Sequence, residues 1–261
     1  ILDLCSTAMP QLRLRWHYRS RYEQLIAFSN RNFYDGDLVT FPSAQADAPG
    51  IGVDYFHVDG IFDRKTHTNR KEAEFIVDLI FRNIQKYPDR SLGVVAFSVA
   101  QQDLIDKLLS KRRQQLPQWE PFFRQDAAEP FFIKNLETVQ GDERDTILFS
   151  VAYGKDAQGR LLHNFGPLNR TGGERRLNVA VTRAKCNVQL VSSMHDTDID
   201  LKRTSSDGAR LLREYLDYAE HGAAALDRSM RVRPYEQFDS DFELEVCEFL
   251  RSKGFSVDTQ V

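Results

Sequence analysis

"RRLNVAVTRAK", residues 175–185, runs almost directly into "NVQLVSS", residues 187–193, and the fold is read outward from this junction. Leu177 to Val181 is an apolar segment that suits one side of a short helix, so 175–185 is expected to be helical and 187–193 a strand. Arg175, Arg176, Arg183 and Lys185 bracket the apolar segment. So much fixed positive charge around a core segment points to an anion held at the helix end.

The same alternation extends on both sides. Upstream, "YEQLIAFSNRNF" (22–33) carries Leu25, Ile26 and Phe28 on one helical face, and "IGVDYFHVDG" (51–60) alternates as a strand does. "TNRKEAEFIVDLIFRNIQKYPD" (68–89) spaces Ala73, Ile76, Ile80 and Ile84 at helical intervals and stops at Pro88. "SLGVVAFS" (91–98) is a buried-type strand, 101–116 a helix with Leu104, Ile105, Leu108 and Leu109 inward, and "PFFIKN" and "DTILFSVAY" are strands. "GARLLREYLDYAE" (208–220) closes the series as a helix. Strand and helix in turn predict a parallel α/β sheet with helices on both faces and ligands at the carboxyl ends of its strands.

Composition separates a first domain, 1–222, from a linker, 223–237, and a last segment, 238–261. Within the last segment "FELEVCEFLRSKGFSVDTQV" suggests a helix and a short strand. A pair of that size cannot bury its own apolar face, so it is expected to open a second domain that is cut short. The chain also begins without Met, as a piece of a longer protein would.

With 41% hydrophobic and 28% charged residues the 261-residue chain can bury a proper core. A net charge of −3 excludes a uniformly basic nucleic-acid binder, so any anion site must be local. Cys5, Cys186 and Cys247 stand in no metal or redox spacing, and their odd number argues against a disulfide framework. Together with the lack of an apolar run of membrane-spanning length and of a signal-peptide pattern, this suggests the reduced cytoplasm and no membrane partner. His17 and His57 lack neighbours at ligand spacing and read as structural, and no metal site is expected in this chain.

A phosphate loop of the form G-x-x-x-x-G-K-[ST] is missing; Gly172-Gly173 and Gly154-Lys155 are the nearest approaches, without its spacing. Arginine-rich anion contacts without that loop suggest the second half of a two-part site. "LETVQGDERDTILFSVAYG" (136–154) resembles helicase motif V, and "GGERRLNVAVTRAK" (172–185) resembles motif VI, of superfamily 1 helicases of the Upf-like 5′-to-3′ group. "LRWHYRSRYEQLIAFSNRNFYDGDL" (14–38) is similar to the segment after motif III, "TNRKEAE" to motif IVa and "GVVAFSVAQQ" to motif IV, all in the family's order over residues 10–220. The last segment resembles the opening of the Vsr-like, restriction-endonuclease-fold domain that ends some large bacterial helicases. One departure is Tyr18-Arg19-Ser20-Arg21-Tyr22, where the family has Tyr-Arg-Met-His-Pro.

The resemblance implies a RecA-like fold, of the P-loop NTPase type but lacking its own phosphate loop. It also implies ATP and Mg²⁺ as cofactors shared with an N-terminal motor domain, and single-stranded nucleic acid, DNA in view of the nuclease-like neighbour, as partner. It makes Arg19 and Arg183 the catalytic donors to the γ-phosphate, a role that suits a permanently charged planar group. Tyr18 resembles the tyrosine that stacks on adenine, although a tyrosine there also suits a core or a surface. Gln140, Gly141 and Glu143 fall where motif V meets nucleotide; Gly141 permits a tight turn and Glu143 could accept a hydrogen bond from a ribose hydroxyl. Asn69, Ser98 and Thr138 fall where relatives face the nucleic-acid strand, and Gln101 where motif IV does, yet such residues also serve as helix caps and turn formers.

Two other readings compete. A degenerate helicase module could bind nucleic acid or protein without turnover, against which stand Arg19, Gln140 and Arg183. Glu243, Glu245 and Glu248 could suggest a nuclease, but three glutamates on one helix also make an ordinary solvated face, and no Asp with a Glu-x-Lys partner accompanies them.

Overall fold

Five parallel strands form the main sheet in the order β1 (Gly52–His57), β7 (Ala184–Ser193), β6 (Arg144–Gly154), β4 (Leu92–Ala96), β5 (Phe132–Asn135). Two two-residue strands, β2 (Phe62–Asp63) and β3 (Thr68–Asn69), pair antiparallel as a separate small sheet. The computed structural model describes residues 15–40 and 48–230, with Phe249 and Lys253.

Six α-helices lie among the described residues: α1 (Gln24–Phe33), α2 (Arg70–Lys86), α3 (Val99–Gln115), α4 (Gly173–Val181), α5 (Asp207–His221) and α6 (Ala223–Met230). Successive side chains of a strand face opposite sides, and β4 shows the consequence. Leu92, Val94 and Ala96 join Leu148 and Val191 in one core with Ile76 and Ile80 of α2 and Ile105 and Leu109 of α3. Val95, Ile147 and Phe149 point the other way and are equally buried. On that second side α1 and α5 are locked together by Phe28 against Tyr215, 4.9 Å between ring centroids, and by the Tyr218 hydroxyl donating to the Gln24 carbonyl at 2.6 Å. The fold is therefore the expected parallel α/β sheet with helices covering both faces.

Helix starts follow capping chemistry. Asn69 caps α2 by accepting from the Glu72 N–H at 3.2 Å, and Ser98 caps α3 by accepting from the Gln101 N–H at 3.2 Å. The arginine-rich helix ends earlier than its sequence pattern predicts. Thr182 turns its hydroxyl back onto the Asn178 and Val179 carbonyls at 3.0 and 3.1 Å, and Ala184 pairs with Arg144. Ala184 and Lys185 thus belong to β7, and Arg183 sits in the joint between helix and strand.

Contacts divide the chain into two compact units, 1–225 and 226–261. The first part of the stretch with linker composition, Ala223–Met230, is helical. In the second unit Lys253 places its ammonium 5.6 Å from the centre of the Phe249 ring. The expected second-domain opening, with Glu243, Glu245 and Glu248, otherwise falls outside the described residues, as does Cys5.

Candidate functional site

Arg19 and Arg183, 164 positions apart in the sequence, meet at Thr182. Arg19 Nη1 donates to the Thr182 carbonyl at 3.4 Å, and Arg183 Nη2 to the Thr182 hydroxyl at 3.1 Å. The segment bearing Arg19 is tied to the start of β7 through the Arg21 N–H, which donates to the Lys185 carbonyl at 2.8 Å. The Ser20 hydroxyl adds a weaker bond to the Ala184 carbonyl at 3.4 Å. His17 closes the turn, its Nε2 accepting from the Ser20 N–H at 3.1 Å. Its acceptor role matches a pKa held down to about 4 by burial and by the Arg19 and Arg183 charges.

Glu143 completes the cluster. Its Oε2 accepts from Arg19 Nε at 2.7 Å, and its Oε1 lies 3.7 Å from Lys185 Nζ, which is itself paired with Glu129. The Arg19 bond, chiefly, keeps the Glu143 carboxyl below the usual range. Burial works against the Lys185 charge, but Glu129 and Glu143 outweigh it and raise its pKa. Arg183 is pushed the other way, by burial first and by neighbouring Arg19 second, although its Nε also donates to the Val179 carbonyl at 2.6 Å. Arg19 and Arg183 thus share one nearby carboxylate, Glu143, while Lys185 lies among Glu129, Glu143 and Asp145; an anion would ease the repulsion between the two arginines.

Tyr18 is 84% exposed, with the Arg19 guanidinium 5.7 Å from its ring centre. Gln140 and Gly141 are exposed in a turn closed by the Asp142 N–H donating to the Val139 carbonyl at 3.2 Å. Gly141 has φ +93°, a conformation glycine adopts without a side-chain penalty. Glu143 and Arg183 immediately precede β6 and β7, so the cluster lies at the amino ends of these strands. The expectation of carboxyl-end ligands does not describe it: the two arginines are delivered by the chain entering the strands.

The carboxyl ends hold a second, buried polar group. Glu72 Oε2 accepts from the Ala152 N–H at 2.7 Å and the Ser150 hydroxyl at 3.1 Å. Asn69 Nδ2 donates to Ser193 Oγ at 2.8 Å and to Glu72 Oε1 at 3.3 Å. Gln101 links the starts of two helices, accepting from the Asn69 N–H at 2.8 Å and donating to the Asn69 carbonyl at 3.0 Å. Burial raises the Glu72 pKa to about 7 despite these donors. Asn69 and Gln101 are fully buried and hydrogen-bonded within the fold, so neither presents its side chain to a nucleic acid; they join the starts of α2 and α3 instead. Ser98 is half-buried as the α3 cap, and Thr138 is exposed, its hydroxyl accepting from the Asn135 N–H at 3.1 Å.

Thr182, Lys185, Glu129 and Glu72 gain their place only in three dimensions; Lys185 alone carried a signal, as part of the basic bracket. Arg176 holds the approach loop, donating to the Thr171 carbonyl at 3.1 Å, and Arg175 lies 3.7 Å from Glu174. Among the described residues no group of three or more His, Cys, Asp or Glu side chains could hold a metal ion, and no helix is long and apolar enough to cross a membrane.

A family described as AAA domain matches residues 3–195. The chain belongs to that family. The AAA-domain match includes every strand of the main sheet and both polar clusters. Among curated relatives, "uncharacterized ATP-dependent helicase MG140" of Mycoplasma genitalium is 39% identical over 213 residues, 79% of this chain and 18% of the relative. Its Mycoplasma pneumoniae homolog is 36% identical over 210 residues, with the same shares. The AAA-domain chain therefore spans about a fifth of the length of these relatives. Among solved structures, the C-terminal domain of a possible DNA helicase from Lactobacillus plantarum WCFS1 is similar at TM-score 0.39 and 15% identity, over 67% of this chain and 86% of that one.

Proposed function

We propose that this AAA-domain chain is the second motor domain of a superfamily 1, Upf-like ATP-dependent helicase or translocase that works on single-stranded DNA in the cytoplasm. The observation that carries the reading is the meeting of Arg19 and Arg183 at Thr182, which brings two guanidinium groups from distant parts of the sequence together. ATP, when bound, supplies a γ-phosphate whose charge redistributes during transfer, and planar cations aimed at it act chiefly on that transition state. Tyr18 would offer the adenine a platform, and Gln140 and Gly141 would line the nucleotide side of motif V. Phosphate loop and Mg²⁺ ligands belong in this scheme to an N-terminal motor domain, so the chain by itself is expected to hydrolyse no ATP. Thr138 and Ser98, at the opposite ends of the strands, would meet the nucleic acid, with Asn69 in support. Residues 238–261 would begin a Vsr-like domain.

Arg183→Ala tests the reading in a protein carrying both motor domains. Single-strand-stimulated turnover should fall on the order of 10³-fold, with nucleotide and DNA affinity nearly unchanged, because most ATP contacts lie on the other domain. Near-normal turnover in the variant would reduce the arginine-rich joint to a structural element.

A further inference from the structure

We propose that Glu143 is a positioning residue for Arg19, setting the plane of its guanidinium before nucleotide arrives, and is not primarily an acceptor for the ribose. The proposal rests on the reading of Arg19 as a γ-phosphate donor. Both carboxylate oxygens of Glu143 are already directed at cations: Oε2 at Arg19 Nε, 2.7 Å away, and Oε1 at Lys185 Nζ, 3.7 Å away. A ribose hydroxyl would add a neutral donor to oxygens already oriented by two charges, and a charge-assisted bond is about twice as strong as a neutral one.

The placement of the neighbours supports the same role. Lys185 is anchored from behind by Glu129, whose carboxylate also accepts from the Ser91 hydroxyl, so Glu143 is held between one anchored lysine and one arginine. Arginine has five N–H donors in a planar fork. Nε is taken by Glu143 and one Nη1 hydrogen is directed at the Thr182 carbonyl at 3.4 Å, while others stay available to an anion. A long side chain pinned at Nε keeps its outer nitrogens aimed without being neutralised by a bidentate pair. The Arg19 side chain is only 17% exposed and that of Glu143 37%, so the pair is partly sheltered and the Glu143 position can accept a substitution without opening the core.

The test uses a protein carrying both motor domains, with variants Arg19→Ala, Glu143→Gln and the double variant, each checked for an unchanged thermal melt. Turnover is followed against concentration of ATP, 2′-deoxy-ATP and 3′-deoxy-ATP. Glu143→Gln keeps shape and an acceptor but loses the charge; it should lower kcat on the order of 10-fold to 100-fold, as misaimed groups do, and leave KM within about twofold. The double variant should be no slower than Arg19→Ala, because both act through one guanidinium. Glu143→Asp, which restores charge on a shorter arm, should recover part of kcat. A rise in KM alone, present with ATP and absent with a deoxy nucleotide, would assign Glu143 to the ribose and overturn the proposal. So would multiplicative losses in the double variant, or a normal Glu143→Gln beside a defective Arg19→Ala. Normal turnover in Arg19→Ala would instead overturn the role of Arg19, and this proposal with it.

Discussion

Replacing Glu72 by glutamine should change how stability depends on pH more than stability itself. Glu72 is completely buried beneath the carboxyl ends of β4, β6 and β7, and burial raises its pKa from 4.5 to about 7. Between those two values the folded chain keeps a proton that the unfolded chain has released. Folding is therefore favoured fully below pH 4.5, and the advantage is lost as pH rises through 7. Each pH unit in that window removes about 1.4 kcal/mol, so the loss reaches about 3 kcal/mol by pH 8. Glutamine keeps the shape and one acceptor for the Ala152 N–H and the Ser150 hydroxyl, but its amide nitrogen meets the Asn69 donor, which adds an offset independent of pH. Urea unfolding of both proteins at pH 4, 5, 6, 7 and 8 separates the two effects. The difference between Glu72→Gln and wild type should move by about 3 kcal/mol in favour of the variant across this range. Parallel profiles would show that Glu72 titrates alike in the folded and unfolded chain, the bonds from Ala152, Ser150 and Asn69 offsetting burial.

His17 should act with the opposite sign: its folded pKa, about 4, lies below the ordinary 6.5, so its contribution is present above pH 6.5 and lost as pH falls towards 4. His17→Asn, which keeps an acceptor for the Ser20 N–H, should flatten the acid side of the stability profile measured by the same denaturation. Gly173→Ala would place a methyl 2.2 Å from the Leu168 carbonyl oxygen, a backbone atom that cannot swing aside. Displacement of α4 should cost about 1 to 3 kcal/mol, visible as a lowered Tm, whereas a neutral result would mean that α4 shifts freely against the 166–169 turn.

Much of the architecture was legible in one dimension because it depends on local periodicity. Ala73, Ile76, Ile80 and Ile84 recur at helical spacing and all are buried, and the continuous apolar run in "SLGVVAFS" is the β4 strand. The apolar segment of "RRLNVAVTRAK" anchors its helix through Leu177, Ala180 and Val181. Where that helix stops was not legible. Local propensity would carry it on to Lys185, but pairing of Ala184 with Arg144 recruits those residues to the sheet.

Sequence alone determined the alternation of strand and helix and the order of the main elements, since these follow from side-chain spacing and residue type, and it singled out Arg19 and Arg183 as candidates. Only the tertiary structure decided the strand order, with β7 and β6 central although they come last, because hydrogen-bond partners are chosen across the whole chain. It alone decided that Arg19 is held by Glu143, 124 positions away, and that Asn69 turns inward to Glu72 and Ser193. A polar side chain looks the same in sequence whether it faces a ligand or fills a buried network. Burial, and the need of every buried donor for an acceptor, separates the two cases.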